Sequence, residues 1–212
     1  GDGSQADALD VVGSSTSALG EAAVPTTSSE YKLPAAVDPE VLDDRQTELW
    51  ARVYRPATLT AGTRYPVLVF LHGNHATCGR GSNPRIDDSS LYSSTGTCPT
   101  GYVVVPSHEG YAYIANELAG QGYIVVSINA NRGINASGGV AGDSGLNLAR
   151  GRLVLKHLAT LSEWNRGVTP TPSSLGVDLT NHLDFTHVGL MGHSRGGEGV
   201  RAGRKHGSQI FL

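Results

Sequence analysis

Thr186-His187-Val188-Gly189-Leu190-Met191-Gly192-His193-Ser194-Arg195-Gly196-Gly197 is the stretch whose reading decides the fold. An apolar run ends in Gly192-His193-Ser194-Arg195-Gly196. This G-x-S-x-G pattern is one in which a strand turns sharply, carries a serine at the bend and continues as a helix. The spacing has a steric cause. A serine lifted above the end of a strand takes a backbone conformation that is costly for a residue with a Cβ. Glycines two positions to either side leave room where strand and helix nearly touch. Val188, Leu190 and Met191 read as a short buried strand. The residues from Glu198 onward read as a helix, weakened by Gly199 and Gly203. The chain holds 28 glycines, so the pattern gains its weight from a matching stretch upstream.

That stretch is Tyr65-Pro66-Val67-Leu68-Val69-Phe70-Leu71-His72-Gly73-Asn74, an apolar strand running into a His-Gly turn. With these two turns the chain resembles the α/β-hydrolase superfamily, from residue 48 to residue 206 by order of elements. The resemblance implies that Ser194 is a nucleophile and that the backbone N–H groups of Asn74 and Arg195 form an oxyanion hole. It implies a small-molecule ester or lipid-like substrate and no cofactor. The expected fold class is α/β, a mostly parallel sheet with helices on both faces, cut short after the elbow helix. Two other readings stay open: a serine peptidase on the same fold, and a non-catalytic binding protein that keeps the fold alone.

Working outward, Glu48 to Pro56 alternates apolar and polar residues and reads as an early antiparallel strand. Residues 75–109 read as a long irregular loop beside the proposed oxyanion hole. Tyr111, Ile114, Ala115 and Leu118 share one face of a helix that stops at Gly120 and Gly122. Tyr123–Ile128 is a buried strand. Asp143 and Ser144 suit the start of a helix over residues 145–164. Residues 1–30 read as a mobile tail, rich in Gly, Ser, Ala and Thr. Residues 31–212 then form the N-terminal part of one domain.

The formal charge of the 212 residues is −3 and the isoelectric point about 6.2, so nothing in the charge pattern suggests nucleic acid. No apolar run approaches the roughly 20 residues of a membrane span. Cys78 and Cys98 lie in a polar loop, as a disulfide or as two unrelated thiols. The disulfide reading fits a secreted or periplasmic protein. Asn135-Ala136-Ser137 is a glycosylation sequon.

In the family that the chain resembles, the acid and the histidine of the triad follow the serine. Ser194 is followed by only 18 residues. Each upstream histidine reads better as a surface or supporting residue than as a base, and the side chain of His193 is expected to point away from the cleft. The expectation is therefore a fragment of a longer hydrolase whose triad Asp and His lie elsewhere. Its elbow strand would be left at a sheet edge, giving poor expression and no turnover. His72-x-x-His75-x-x-Cys78 has the spacing of a metal site but lacks a fourth ligand. Arg195, Glu198 and Arg201 are spaced as helix-surface ion pairs. Arg195, beside the serine, could alternatively meet an anionic substrate group.

Overall fold

The computed structural model describes residues 23–41, 45–81, 86–87, 91–135 and 139–207. In chain order the elements are β1 (Thr26–Lys32), β2 (Ala36–Val37), β3 (Gln46–Thr47), β4 (Trp50–Pro56), β5 (Tyr65–Leu71), β6 (Cys78–Arg80), β7 (Ile86–Asp87), β8 (Val103–Val104), α1 (Ala112–Gly120), β9 (Ile124–Ile128), α2 (Asn131–Ile134), α3 (Asn147–Asn165), β10 (Leu183–Gly192) and α4 (Arg195–Gly207). Five strands form the main sheet in the order β1-β4-β9-β5-β10.

This sheet is mixed, not mostly parallel. β1 pairs antiparallel with β4 and β4 antiparallel with β9, while β9, β5 and β10 run parallel. The expectation missed β1. Its sequence is Thr-Thr-Ser-Ser-Glu-Tyr-Lys, and Tyr31 is its one buried residue, so it offers no apolar alternation to read. The tail expected over residues 1–30 is corrected accordingly: residues 1–22 lie outside the described residues, and residues 26–30 are in β1.

Side-chain alternation explains why both faces of the sheet are covered. Ala51, Val53, Val67, Val69, Leu71, Ile124, Val126 and Ile128 pack in one cluster with Ala149, Leu153, Leu158 and Leu161 of α3. Tyr54, Phe70 and Val125 pack in a second cluster with Ala115 and Ala119 of α1. Helix α3 is capped as its sequence suggests. The Asp143 carboxylate accepts hydrogen bonds from the N–H groups of Asn147 (2.7 Å), Leu148 (3.2 Å) and Ala149 (3.1 Å). Three of the donors of the first turn are thereby satisfied.

The 75–109 loop is more ordered than expected. β6 pairs with both β7 and β8 in a small antiparallel sheet, and Cys78 and Cys98 form a disulfide with a Cα–Cα distance of 5.6 Å. Closing a loop of this size restricts the unfolded chain and stabilises by roughly 3 kcal/mol. Among the described residues no helix is long and apolar enough to cross a membrane.

β10 lies at the edge of the sheet, next to β5 alone. It begins earlier than expected, at Leu183, with an irregularity between Asp184 and Val188. The buried strand expected at Val188–Met191 is corrected: Val188 is 37% and Met191 38% exposed. An edge strand with one neighbour leaves such side chains only partly covered.

Candidate active site

The parallel pairing of β5 with β10 sets Leu71 opposite Gly192, so the two turns leave the sheet side by side at its carboxyl edge. The N–H of His193 donates to the carbonyl of Leu71 at 3.2 Å. Ser194 follows with φ at +54°, a left-handed conformation that costs a non-glycine residue about 1–3 kcal/mol. It is exposed. The N–H of Gly196 then donates to His193 O (2.8 Å) and that of Gly197 to Ser194 O (2.9 Å), which starts α4. A Cβ on Gly192 would stand 2.3 Å from backbone atoms of Gly196, and one on Gly196 would stand 2.2 Å from the Leu71 carbonyl oxygen. Both positions need glycine because backbone fills the space.

Gly73 brings the upstream turn onto the serine: its Cβ position lies 3.2 Å from Ser194 Cβ. His72 fixes that turn. The N–H of Ala130 donates to His72 Nε2 at 2.9 Å, so the ring proton sits on Nδ1, which donates to the carbonyl of Gly73 at 2.7 Å. Burial lowers the His72 pKa to about 3, and the ring is neutral at ordinary pH. A trans peptide aims its C=O and N–H in opposite directions. Holding the Gly73 carbonyl therefore turns the Asn74 N–H to the other side. Arg195 opens α4, where the first N–H groups of a helix have no intrahelical acceptor and carry partial positive charge.

Ser194 Oγ has no hydrogen-bond partner among the described residues. Five of the histidines bond elsewhere. His72 uses both ring nitrogens. The Nδ1 of His157 meets the Tyr31 hydroxyl at 2.6 Å in the core. His108 is buried against Glu30. His182 and His187 lie near the amino end of β10, where the Nδ1 of His187 pairs with Asp184 at 2.8 Å. The Nδ1 of His193 lies 3.3 Å from the Cβ position of Gly73, so its ring lies against the upstream turn.

Three further sequence readings are settled by contacts. Cys78 is spent in the disulfide and His72 in the turn, so His72-x-x-His75-x-x-Cys78 holds no metal. Among the described residues Glu30, His108 and Glu109 do converge, but the Arg52 Nη2 already bonds Glu30 (3.3 Å) and Glu109 (3.1 Å), which puts a cation where a metal would sit. Asn135 is 1% exposed. Its Nδ2 donates to Asn131 Oδ1 and its Oδ1 accepts from Arg150, so the sequon asparagine is not presented for glycosylation. No ion pair among the described residues involves Glu198.

Two residues near the site were not singled out from sequence. The Tyr111 hydroxyl donates to the Leu71 carbonyl at 3.3 Å, under the junction of the two turns. Arg150 is fully buried, and its Nη2 donates to Asn74 Oδ1 at 2.9 Å. One signal was available for it. Leu146, Arg150, Leu153 and His157 follow i, i+4, i+7, i+11 spacing, which puts an arginine on the apolar stripe of α3.

No family model matches the chain, and no protein of curated function matches it. Solved structures give weak likenesses. A ferulic acid esterase from Streptomyces cinnamoneus superposes with a TM-score of 0.43 at 16% identity, over 86% of this chain and 56% of its own. A protein assigned as a dipeptidyl aminopeptidase IV from Bacteroides ovatus gives 0.45 at 20% identity, over 88% and 20%. Candida antarctica lipase A in its closed state gives 0.39 at 11% identity, over 85% and 37%. The chain thus spans little more than half of the esterase and smaller parts of the other two. Likenesses this distant say nothing of a site or a substrate.

Proposed function

We propose that this chain carries the nucleophile and oxyanion turns of an α/β hydrolase that cleaves carboxylic esters. The observation that supports this reading is one piece of geometry. Ser194 stands exposed at φ +54° on a strand-to-helix turn, with Gly73 of a second turn against its Cβ. A serine held exposed in a strained strand-to-helix turn, beside a second backbone turn, is the arrangement of a nucleophile elbow with oxyanion donors at hand.

In the proposed reaction Ser194 Oγ adds to the ester carbonyl carbon as its proton leaves to a base. The carbonyl π electrons move onto oxygen, and the N–H groups of Asn74 and Arg195 hold that oxyanion. The C–O bond to the alcohol then breaks, and the alcohol takes up the proton. Water attacks the acyl-serine by the same route and releases the acid. His72 does not act as the base: with a pKa near 3 and both nitrogens bonded, it keeps the turn in place. We place the base and its carboxylate outside the described residues.

A second reading is favoured by the lack of a described partner for Ser194 Oγ: a binding protein that keeps the turns without the chemistry. Treatment of the longest obtainable version of the protein with a fluorophosphonate probe, followed by mass spectrometry of the peptide holding Ser194, separates the two. The hydrolase reading expects one phosphonyl group on Ser194, abolished in Ser194→Ala. A folded protein that takes up no label supports the binding reading instead.

A further inference from the structure

Arg150 sits where the elements around Ser194 meet. It lies in the second turn of α3 and is fully buried. A Cβ on Gly199 would stand 2.6 Å from Arg150 Cβ, so the elbow helix α4 rests directly on the arginine's stem. At the other end, Nη2 donates to Asn74 Oδ1 (2.9 Å), Asn135 Oδ1 (3.3 Å) and the Ile134 carbonyl (3.4 Å). One side chain thus touches the helix after the nucleophile, the turn with the proposed oxyanion donor and the segment after β9.

A buried cation is costly unless it is paired or thoroughly hydrogen-bonded. Among the described residues Arg150 has no carboxylate within ion-pair distance, and its Nε and Nη1 have no hydrogen-bond partner. Packing alone would be served better by leucine or methionine. What an apolar residue could not do is hold Asn74.

The second tie on the turn points the same way. His72 accepts from the N–H of Ala130, and Asn74 is bound through Arg150 to Asn135. Asn135 continues to Asn131, whose N–H donates to Asn129 Oδ1 at 2.9 Å and whose Nδ2 donates to Ser107 Oγ at 3.0 Å. Both flanks of Gly73 are therefore tied to the one segment running from Asn129 to Asn135.

We propose that Arg150 is a positioning residue of the site: it holds the Gly73–Asn74 turn against the elbow helix, so that the Asn74 N–H is fixed before substrate arrives. The inference rests on the hydrolase reading for its purpose but not for its test. Pre-organised donors stabilise an oxyanion without reorganising during the reaction, and a loose turn forfeits that advantage. Lysine could keep the charge, but its compact ammonium is more strongly hydrated than a guanidinium and so costs more to bury.

Backbone 15N relaxation of the protein tests it. Gly73, Asn74 and His75 are expected to show order parameters of about 0.85 in the parent chain, and below about 0.6 in Arg150→Met and in Asn74→Ala. Leu153→Ala, which opens a cavity one helical turn along α3, is expected to leave them at the parent value. Arg150→Lys should fall between, and it serves as the variant if Arg150→Met does not fold. A turn that stays rigid without Arg150, or one already mobile in the parent, would overturn the proposal. Where the parent takes up fluorophosphonate, Arg150→Met should label at least tenfold more slowly and Leu153→Ala at the parent rate. If the longest obtainable version of the protein, with its base, never labels, the hydrolase reading is refuted, and the relaxation data still decide the role of Arg150.

Discussion

His72 and His157 are both buried, and burial lowers the pKa of each to about 3. By titration they are the same residue; by hydrogen bonding they are not. His72 joins two backbone groups, the N–H of Ala130 and the carbonyl of Gly73. His157 joins one side chain, the Tyr31 hydroxyl, and among the described residues its Nε2 has no partner. Tyr31 also packs edge-on to Trp164, which makes this the polar seam of an apolar core. A depressed histidine pKa marks burial in both places, and only the identity of the partners separates a turn-holding residue from a core residue.

The largest effect expected treats them alike. Each histidine is neutral in the folded state and has a pKa near 6.5 when unfolded. As pH falls, the unfolded chain takes up protons first, so stability is fully present above about pH 6.5 and is lost toward pH 3 at roughly 1.4 kcal/mol per pH unit for each ring. Glu30, held low chiefly by its hydrogen bond from His108, and Asp38, held low against its burial chiefly by Arg152, protonate only below their ordinary range. Between pH 6.5 and 4.5 these two carboxylates do not mask the histidines. Urea unfolding across that window should show the slope, and either single His→Leu variant should cut it by about half.

The next effect separates the two. His72→Leu strands the Ala130 N–H and the Gly73 carbonyl, which should cost about 2–6 kcal/mol in urea unfolding at pH 7. No second side-chain deletion can remove the two stranded backbone groups. His157→Leu strands one hydroxyl, at about 1–3 kcal/mol. Adding Tyr31→Phe removes that hydroxyl too, and the double variant should return to within about 1 kcal/mol of the parent. If Tyr31→Phe failed to rescue, the distinction between the two rings would collapse. Smallest of all, His187→Ala at the exposed start of β10 should leave stability and any Ser194 labelling unchanged, because its Asp184 contact lies in solvent.

What could be read from the sequence follows the range over which each feature is determined. Gly192-His193-Ser194-Arg195-Gly196 was legible because backbone crowding within five residues dictates it. Val67–Leu71 and Ile124–Ile128 were legible because strands buried on both faces are continuous apolar runs. β1 was not, since Thr26–Lys32 earns its place by pairing with β4. The exposure of Val188 and Met191 was misread because apolar character was equated with burial, although the same strand was expected at the sheet edge. At the site, the tie from Arg150 to Asn74 spans 76 residues of chain and that from Ala130 to His72 spans 58. No local pattern encodes contacts at those separations, although an arginine on the apolar stripe of α3 was a visible anomaly.

The meeting of α3 and α4 has a consequence for how such a chain can change by mutation. A Cβ on Gly151 would lie 2.6 Å from the backbone nitrogen of Gly203, and a Cβ on Gly203 would lie 3.2 Å from the Gly151 carbonyl oxygen. Neither helix can relax alone, because α4 begins immediately after Ser194 and α3 carries Arg150. The smallest step open to a glycine codon, to alanine, is therefore blocked at position 151 by a backbone atom, while at position 203 it demands a shift of a few tenths of an ångström. A descendant sequence reaches a bulkier residue at this crossing only by way of a helix displacement that also moves the serine. Drift at these two glycines is thus bound to the geometry of the site.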